Sequence, residues 1–241
     1  MKGIILAAGR GSRMKNLTEN NLKCLVKLHG KTLLDIQIET LKSAGIKEIG
    51  IVTGYKSNLL SDRKLTQFHN KRWKDTNMVF SLSCASSWLV SEPCIVSYSD
   101  IFFETNAVNS LILSTEFLAV TYDPNWLKLW KKRFSDPLVD AETFRLTSEN
   151  KLAEIGKKPK TIDEIEGQYM GLLRFTPEGW AETIKILSSL KKCESDAIHM
   201  TQLLQKVIES NNIFVDALPY DGKWGEIDSQ EDLVLYQNRS L

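Results

Sequence analysis

The residues with the clearest chemical meaning lie in a glycine-rich segment near the N-terminus, LAAGRGSRM at residues 6–14. Its small residues let backbone N–H groups approach a ligand without a side chain in the way. Such a loop forms a concave set of donors that suits phosphate oxygens. Arg13 adds a fork of donors with a fixed positive charge, and Lys23 adds a mobile one. These residues therefore indicate a ligand with several phosphate groups.

A second group of residues could hold a divalent metal ion, which a triphosphate substrate usually requires. Asp100 directly follows a predicted buried strand, so its carboxylate is expected at the edge of a sheet. Near the C-terminus, Glu226 and Asp228 lie in the segment KWGEID, just before a predicted helix. On this pattern alone, Asp228 is better interpreted as the N-cap of that helix than as a metal ligand.

Two familiar glycine motifs do not fit this chain. A dinucleotide fingerprint fails because Met14 stands in the place of the third glycine of G-x-G-x-x-G. The segment GKT at residues 30–32 resembles the end of a P-loop, but Leu25 stands where the leading glycine is required. These departures argue against a kinase or a dinucleotide-dependent dehydrogenase. The remaining structural alternative for the first loop, a tight turn between a strand and a helix, leaves its basic residues unexplained.

The composition favours a soluble globular protein that binds neither nucleic acid nor membrane. The chain has 241 residues, of which 42% are apolar, and a formal net charge of +1, so any basic site must be local. No apolar stretch approaches the ~20 residues of a membrane span, and the N-terminus lacks the features of a signal peptide. We therefore expect a cytoplasmic location. Four scattered cysteines indicate neither zinc binding nor disulfides: Cys24, Cys84, Cys94 and Cys193.

The elements that must position these residues alternate between strand and helix in the first hundred residues, which favours a parallel sheet with crossover helices. The predicted strands are 2–6, 46–53 and 93–98, and the predicted helices are 33–43 and 79–88. Ligands of open parallel sheets bind beyond the carboxyl ends of the strands. The glycine-rich loop, the turn at residues 54–56 and Asp100 are therefore expected along one edge.

The second half of the chain is more mixed. Two short apolar segments around a polar turn predict a hairpin, and the C-terminal segment after Asp228 predicts a helix. The other predicted elements are strands at 117–122, 169–175 and 213–217 and helices at 177–190 and 200–210. No repeat, low-complexity tract or linker divides the chain.

The pattern L-A-A-G-x-G-x-R-M, followed by Lys23 in NLKCL, resembles the nucleotidyltransferase superfamily. Its members join a nucleoside monophosphate to a phosphorylated acceptor and release pyrophosphate. The resemblance implies that Arg13 contacts phosphates and that Lys23 contacts the α-phosphate and the acceptor. Leu22 stands where the family usually has proline, which alters the local backbone and leaves the charge intact. The implied nucleotide-binding residues of the loop are Leu6, Ala7, Ala8, Gly9 and Gly11.

The resemblance also reverses the interpretation of the C-terminal acidic residues. Members of the superfamily often carry a W-x-E-I-D element before the last helix, and its aspartate pairs with the earlier one to hold the metal. The implied Mg²⁺ ligands are therefore Asp100 and Asp228, with Glu226 in support. The ion would neutralise developing charge and hold the α-phosphate in line with the attacking oxygen. An acceptor phosphate is already nucleophilic, so no general base is required.

The fold that follows is an α/β, Rossmann-like domain over residues 1–241. It has a mixed, mostly parallel sheet with helices on both faces and a small β-rich insertion on the acceptor side. Residues of about 1–105 would form the nucleotide-binding half. Residues of about 106–241 would supply the acceptor side and the second metal ligand. The sequence gives no indication of the oligomeric state.

The donor nucleotide is expected to be CTP. The segment TNMVFSL at residues 76–82 resembles an N-x-x-x-S-L stretch of cytidylyltransferases that act on phosphocholine or small aminophosphonates. This resemblance makes Asn77 and Ser81 candidates for the nucleotide pocket. The residues themselves do not separate CTP from UTP, since both pyrimidines suit a similar pocket.

The acceptor side is less clearly marked. Lys157, in GKKP, stands where sugar-phosphate enzymes of the superfamily have a glutamate that holds sugar hydroxyls, and a cation suits an anionic acceptor better than a hexose. A solvated hairpin with incidental lysines explains it almost as well. The stretch from Asp136 to Glu142, with Trp126 and Trp130, could bind an ammonium group through charge and cation–π contact. The spacing of the tryptophans is, however, more typical of a buried helix face.

Together these features imply a Mg²⁺-dependent cytidylyltransferase that transfers CMP from CTP to a small phosphorylated or phosphonate acceptor. The product, CDP-linked or a CMP-phosphonate, would serve to decorate a surface polysaccharide or lipid. One alternative is a sugar-1-phosphate uridylyl- or thymidylyltransferase, which a hexose-specific pocket would reveal. A catalytically silent nucleotide sensor is a second alternative. It is disfavoured because the four residues it would be expected to lose are present: Arg13, Lys23, Asp100 and Asp228.

Overall fold

Most strands of the central sheet come from short apolar segments of the sequence. The computed structural model describes residues 1–11, 14 and 21–238. Within them, the strands are β1 Lys2–Ala7, β2 Lys27–Leu28, β3 Lys31–Thr32, β4 Ile49–Thr53, β5 Thr66–His69, β6 Cys94–Tyr98, β7 Ile101–Phe103, β8 Leu118–Asp123, β9 Phe144–Leu146, β10 Leu152–Ile155, β11 Gln168–Phe175, β12 Val215–Pro219 and β13 Trp224–Glu226.

The helices of the described residues connect these strands. They are α1 Leu33–Ser43, α2 Met78–Ser83, α3 Ser86–Leu89, α4 Thr105–Leu113, α5 Trp126–Arg133, α6 Pro177–Ser189, α7 Lys192–Ala197, α8 Met200–Ser210 and α9 Gln230–Gln237. Short 3-10 turns lie at Lys23–Leu25, Ser57–Leu60, Pro137–Val139 and Ile162–Glu164.

A seven-stranded sheet forms the centre of the fold, in the order β12-β8-β11-β6-β1-β4-β5. β11 runs antiparallel to β6 and β8, and the other neighbouring strands are parallel. Every residue of β4 and β8 is buried, which requires cover on both faces of the sheet. The predicted fold, a mostly parallel α/β sheet with helices, is confirmed.

Local signals in the sequence explain several element boundaries. Thr32 begins α1 by accepting a hydrogen bond from the backbone N–H of Asp35 at 3.0 Å, as an N-cap residue does. The predicted helices at 33–43, 177–190 and 200–210 are confirmed to within one residue. The predicted hairpin is confirmed as the antiparallel pair β9–β10. The C-terminal helix α9 is capped by Ser229 and not by Asp228. The Ser229 hydroxyl accepts a hydrogen bond from the Asp232 N–H at 3.1 Å.

Two predicted boundaries were wrong. The predicted helix at 79–88 is two short helices, because buried Ala85 takes a backbone conformation outside the α-helical range. The second strand begins at Ile49 rather than at Ile46. Gly45 has a φ of +87°, and the Ile46 N–H donates to the Leu41 carbonyl at 3.1 Å. Ile46 therefore belongs to the C-terminal cap of α1 and not to the strand.

The segments predicted to contain the functional residues lie at the carboxyl ends of the parallel strands. β1, β4 and β6 lie side by side and end at Ala7, Thr53 and Tyr98. Beyond them, the Tyr55 N–H donates to the Ala8 carbonyl at 3.0 Å, so the loops after β1 and β4 are joined. No described helix is long and apolar enough to cross a membrane.

Replacing Gly50 by alanine should destabilise the sheet. A methyl group at this position would lie 2.8 Å from the Phe68 ring and 2.9 Å from the Trp88 ring. We expect Gly50→Ala to lower the free energy of unfolding by about 1–3 kcal/mol in urea denaturation. The control is Gly9→Ala, because a methyl group at Gly9 meets no atom within 4 Å. Equal denaturation midpoints for the two variants would contradict this prediction.

Candidate functional site

The glycine-rich loop after β1 forms one wall of a cavity of about 300 Å³. Gly11 has a φ of +65°, and a methyl group there would lie 3.1 Å from the Cβ of Lys23, so a glycine lets Lys23 pack beneath the loop. Ala7 is buried and does not line the cavity. Arg13 lies outside the described residues. The predicted nucleotide-binding residues that line this cavity are Leu6, Ala8, Gly9, Gly11, Asn77 and Ser81.

The opposite wall is organised by a buried amide that the sequence analysis missed. Asn70 is fully buried, and its Nδ2 donates to the hydroxyls of Thr76 and Ser81 at 3.0 Å each. Its Oδ1 accepts from the Arg72 N–H at 2.8 Å. Asn70 therefore fixes residues 70–81 against the cavity. Nothing in its sequence neighbourhood distinguishes it from a loop asparagine.

An aromatic side chain completes this wall. Trp73 lines the cavity and meets Tyr55 edge to face, with ring centroids 5.1 Å apart. The position of Trp73 requires a glycine at residue 54. A methyl group on Gly54 would lie 2.6 Å from the Cβ of Trp73 and 2.7 Å from the Ala8 carbonyl oxygen. The cavity therefore offers a flat apolar surface at Trp73 as well as the backbone of the glycine-rich loop.

Asn77 connects this wall to the other half of the protein. Its Oδ1 caps α2 by accepting from the Met78 N–H at 2.7 Å. Its backbone N–H donates to the Asp196 carbonyl at 2.7 Å, and its Nδ2 donates to the Ala197 carbonyl at 3.1 Å. The same Nδ2 lies 3.1 Å from Nε2 of His199. The side chain of Asn77 is thus already engaged by the α7–α8 junction.

Three carboxylates lie close together, and one of them, Asp100, lines the cavity. β7 pairs with β13, and the Ile227 N–H donates to the Asp100 carbonyl at 2.9 Å, which brings the two acidic segments together. Asp100, Glu226 and Asp228 each offer an oxygen within 4.8 Å of the others. Oδ1 of Asp100 is buried and has no hydrogen-bond partner among the described residues. An all-oxygen cluster with an unpartnered buried oxygen fits a hard divalent cation.

Lys23 lies directly against this carboxylate cluster. Its Nζ donates to Oδ2 of Asp100 at 2.6 Å and also to Oδ1 of Asp228. Burial alone would lower the pKa of Lys23, but the charges of Asp100 and Asp228 outweigh it and raise that pKa above its usual value. Lys23 is therefore held as a cation at the floor of the cavity.

The crowding of like charges is strongest at Glu226. Burial, followed by the negative charges of Asp228 and Asp100, raises the pKa of Glu226 to about 8. Its Oε2 lies 3.1 Å from Nη1 of Arg133, whose charge acts in the opposite direction. A bound cation would relieve this repulsion and favour the ionised form of all three carboxylates.

A second cavity, of about 180 Å³, lies on the other side of the carboxylate cluster. It shares Met78 and Tyr98 with the first, and Glu226 and Asp228 line it. Glu142 also lines this cavity and accepts from the Thr201 hydroxyl at 3.4 Å. Although the residue is exposed, partial desolvation of its carboxylate raises its pKa. The other polar side chains of the lining include Asp140, Gln168, Tyr169 and His199. Two differently lined cavities thus meet at one group of carboxylates.

The structure does not bring the three predicted acceptor residues into either cavity. Lys157 is exposed and pairs with Glu154 at 2.8 Å. Asp136 is exposed and caps the short turn at Pro137–Val139. Trp126 is buried in the core, where its Nε1 donates to the Ile165 carbonyl at 3.1 Å. The helical spacing of the tryptophans does correspond to a buried face, and only Asp140 and Glu142 of the acidic stretch reach the second cavity.

Comparison with known proteins decides the family. Residues 3–146 match the MobA-like NTP transferase domain. The chain belongs to this family. A CTP:phosphoglutamine cytidylyltransferase from Campylobacter jejuni is 39% identical to it, over 97% of this chain and 98% of that protein. A choline-phosphate cytidylyltransferase from Streptococcus pneumoniae is 28% identical, over 96% of this chain and 95% of that protein.

A solved structure agrees with this assignment at the level of the fold. The inositol-1-phosphate CTP transferase from T. maritima superposes with a TM-score of 0.76 at 21% identity, over 98% of this chain and 93% of that chain. The family match and the two relatives confirm the predicted membership of the nucleotidyltransferase superfamily. The family match covers both Lys23 and Asp100, whereas Glu226 and Asp228 lie beyond it.

Removing the charge of Lys23 should strengthen cation binding at the carboxylate cluster. We expect Lys23→Met to bind Mn²⁺ on the order of tenfold or more tightly, because a positive charge beside the cluster opposes a second cation. Electron paramagnetic resonance of Mn²⁺ without nucleotide measures this affinity. The control is Lys151→Met, since Lys151 lies between Glu116 at 2.7 Å and Asp216 at 3.3 Å, in contact with two other carboxylates. An unchanged affinity in Lys23→Met would contradict the prediction.

Proposed function

We propose that this protein is a cytidylyltransferase that transfers CMP from CTP to a small phosphorylated acceptor and releases pyrophosphate. The observation that carries the proposal is the meeting of two cavities at Lys23 and three carboxylates. A transferase of this type must hold two anionic substrates against each other, so it needs positive charge where they meet. CTP as the donor is supported by the two cytidylyltransferases that resemble the chain along nearly its whole length.

The reaction is one displacement at phosphorus. An oxygen of the acceptor phosphate attacks the α-phosphorus of CTP, the new P–O bond forms, and the bond to the bridging oxygen breaks with its electron pair leaving on pyrophosphate. Lys23, held as a cation, stabilises the charge that develops on the α-phosphate. Arg13 is proposed to contact the other phosphates. The acceptor phosphate is ionised at neutral pH, so no side chain needs to remove a proton.

Mg²⁺ is the proposed cofactor, and Asp100, Glu226 and Asp228 would hold it. When bound, the ion neutralises negative charge on the phosphate oxygens. The first cavity, between the glycine-rich loop and Trp73, is the proposed site for the nucleotide, with Asn77 and Ser81 shaping its wall. The proposed nucleotide-binding half accordingly covers residues of about 1–105, and the rest of the chain is the proposed acceptor half.

The acceptor is proposed to carry an ammonium group beside its phosphate. Asp140 and Glu142 line the second cavity, in which Glu226 and Asp228 also lie. Carboxylates in a small, partly buried cavity favour a cationic group over a neutral one. The relatives are named for phosphoglutamine and choline phosphate, and each of these molecules contains a positively charged nitrogen. We favour phosphoglutamine, since that relative is the more similar of the two.

The proposed cellular role follows from the chemistry of the product. A CDP-linked compound is an activated carrier, so we propose that the product serves to decorate a surface polysaccharide or lipid. Because the donor is a nucleoside triphosphate, the proposed location is the cytoplasm.

The test of the proposed function is pyrophosphate release with Mg²⁺ and a panel of substrates. The donors are the four ribonucleoside triphosphates and dTTP, and the acceptors are phosphoglutamine, phosphocholine, aminoethylphosphonate and several hexose 1-phosphates. We expect turnover with CTP and an ammonium-bearing acceptor, and its loss in Asp100→Asn with the fold intact by circular dichroism. Turnover with UTP or dTTP and a hexose phosphate would instead identify a sugar-activating enzyme.

Glu142→Gln should weaken binding of the acceptor without affecting CTP. Loss of a charged hydrogen-bonding partner costs about 1.5–3 kcal/mol, so the KM for the acceptor should rise by roughly tenfold to a hundredfold. The matched control is Glu154→Gln, which removes an acid paired with Lys157 outside both cavities. Steady-state kinetics with each substrate varied in turn separates the two KM values. An equal KM for the acceptor in the two variants would remove Glu142 from the acceptor site.

A further inference from the structure

Arg133, at the end of α5, is a buried cation that the proposed reaction does not use. Its side chain has no exposed surface, and it lines neither of the two cavities. The guanidinium packs against the rings of Trp130 and Phe134, at 4.8 and 5.1 Å from their centroids. Burying a charge is costly unless it is fully paired, so its partners matter.

The partners of Arg133 include one member of the carboxylate cluster. Its Nη1 donates to Oε2 of Glu226 at 3.1 Å. Its Nε and Nη2 form a fork on Asp232, donating to Oδ1 at 2.8 Å and to Oδ2 at 3.1 Å. One planar group thus fixes both a candidate metal ligand and the first turn of α9.

Asp232 links Arg133 to the backbone of Asp228. Its Oδ2 accepts from the backbone N–H groups of Asp228 and Ser229, at 3.0 Å each. The position of the Asp228 backbone therefore depends on the orientation of the Asp232 carboxylate, and Arg133 sets that orientation with two hydrogen bonds. Arg133 acts on Glu226 directly and on Asp228 through Asp232.

The contact with Arg133 opposes the electrostatic repulsion within the carboxylate cluster. Asp100, Glu226 and Asp228 repel one another, and without a fixed partner the Glu226 side chain would move away from the two aspartates. Lys23 contacts the two aspartates, whereas Arg133, which lines neither of the two cavities, contacts Glu226. A lysine in place of Arg133 would keep the charge but could not form the three-point contact.

We propose that Arg133, together with Asp232, is a positioning residue that holds Glu226 and Asp228 at the spacing required to bind a divalent cation. The inference rests on the proposed function only in assigning the carboxylate cluster to a metal. The proposed function does not include this role, because Arg133 lines neither of the proposed substrate cavities. The competing explanation is that Arg133 only stabilises the packing of α5 against α9.

The test uses Arg133→Lys in the full-length protein, with Mn²⁺ alone as the probe. Electron paramagnetic resonance without nucleotide or acceptor gives the Mn²⁺ affinity. We expect it to fall by about tenfold to a hundredfold, as for other partners behind metal ligands. The rate of CTP turnover should recover at high metal concentration. Arg72→Lys is the matched control, because Arg72 forms a similar fork on Asp196 away from the carboxylate cluster.

A thermal unfolding curve of each variant separates positioning from stability. A lower Tm with an unchanged Mn²⁺ affinity in Arg133→Lys would overturn the proposal and leave only a packing role. Should that variant not fold, Asp232→Asn tests the same chain of contacts, and an unchanged Mn²⁺ affinity there would equally overturn it. If the wild-type protein bound no Mn²⁺, this inference would fail, while CTP turnover in the same preparation would still decide the proposed function.

Discussion

The structure depends on keeping three carboxylates close together although they repel one another. Asp100 comes from the end of one strand, whereas Glu226 and Asp228 come from the far end of the chain. Two buried cations, Lys23 and Arg133, contact them from different sides, and the short β7–β13 pair supplies the backbone connection. The protein thus concentrates negative charge at one point, which favours binding of a cation there.

The sheet explains why the two cavities share one edge. The carboxyl ends of the parallel strands β1, β4 and β6 lie beside the first cavity, where open α/β sheets bind ligands. β11 runs in the opposite direction, so its beginning lies at this edge. Gln168 and Tyr169, at the start of β11, therefore line the second cavity. A single reversed strand lets two cavities form at one edge of the sheet.

Much of this arrangement could be predicted from local signals. Glycines, apolar runs and cap residues indicated the first strand, the loop and most helices, and the family resemblance brought Lys23, Asp100 and Asp228 together. The sequence could not show which acidic residues of the stretch from Asp136 to Glu142 line the second cavity, because Asp140 and Glu142 differ from Asp136 only in how the chain folds around them. Asn70 and Arg133 could not be predicted at all. Their importance lies in burial and in partners far away in the sequence, which no local pattern records.

The two cavities have Met78 and Tyr98 in common, and this shared wall bears on how a catalytic cycle ends. Each substrate would occupy one cavity, whereas the joined product would extend across both and keep the contacts of each half. Such a product must dissociate from both cavities at once. Turnover in an enzyme built this way would then be governed by departure of the product as much as by bond formation.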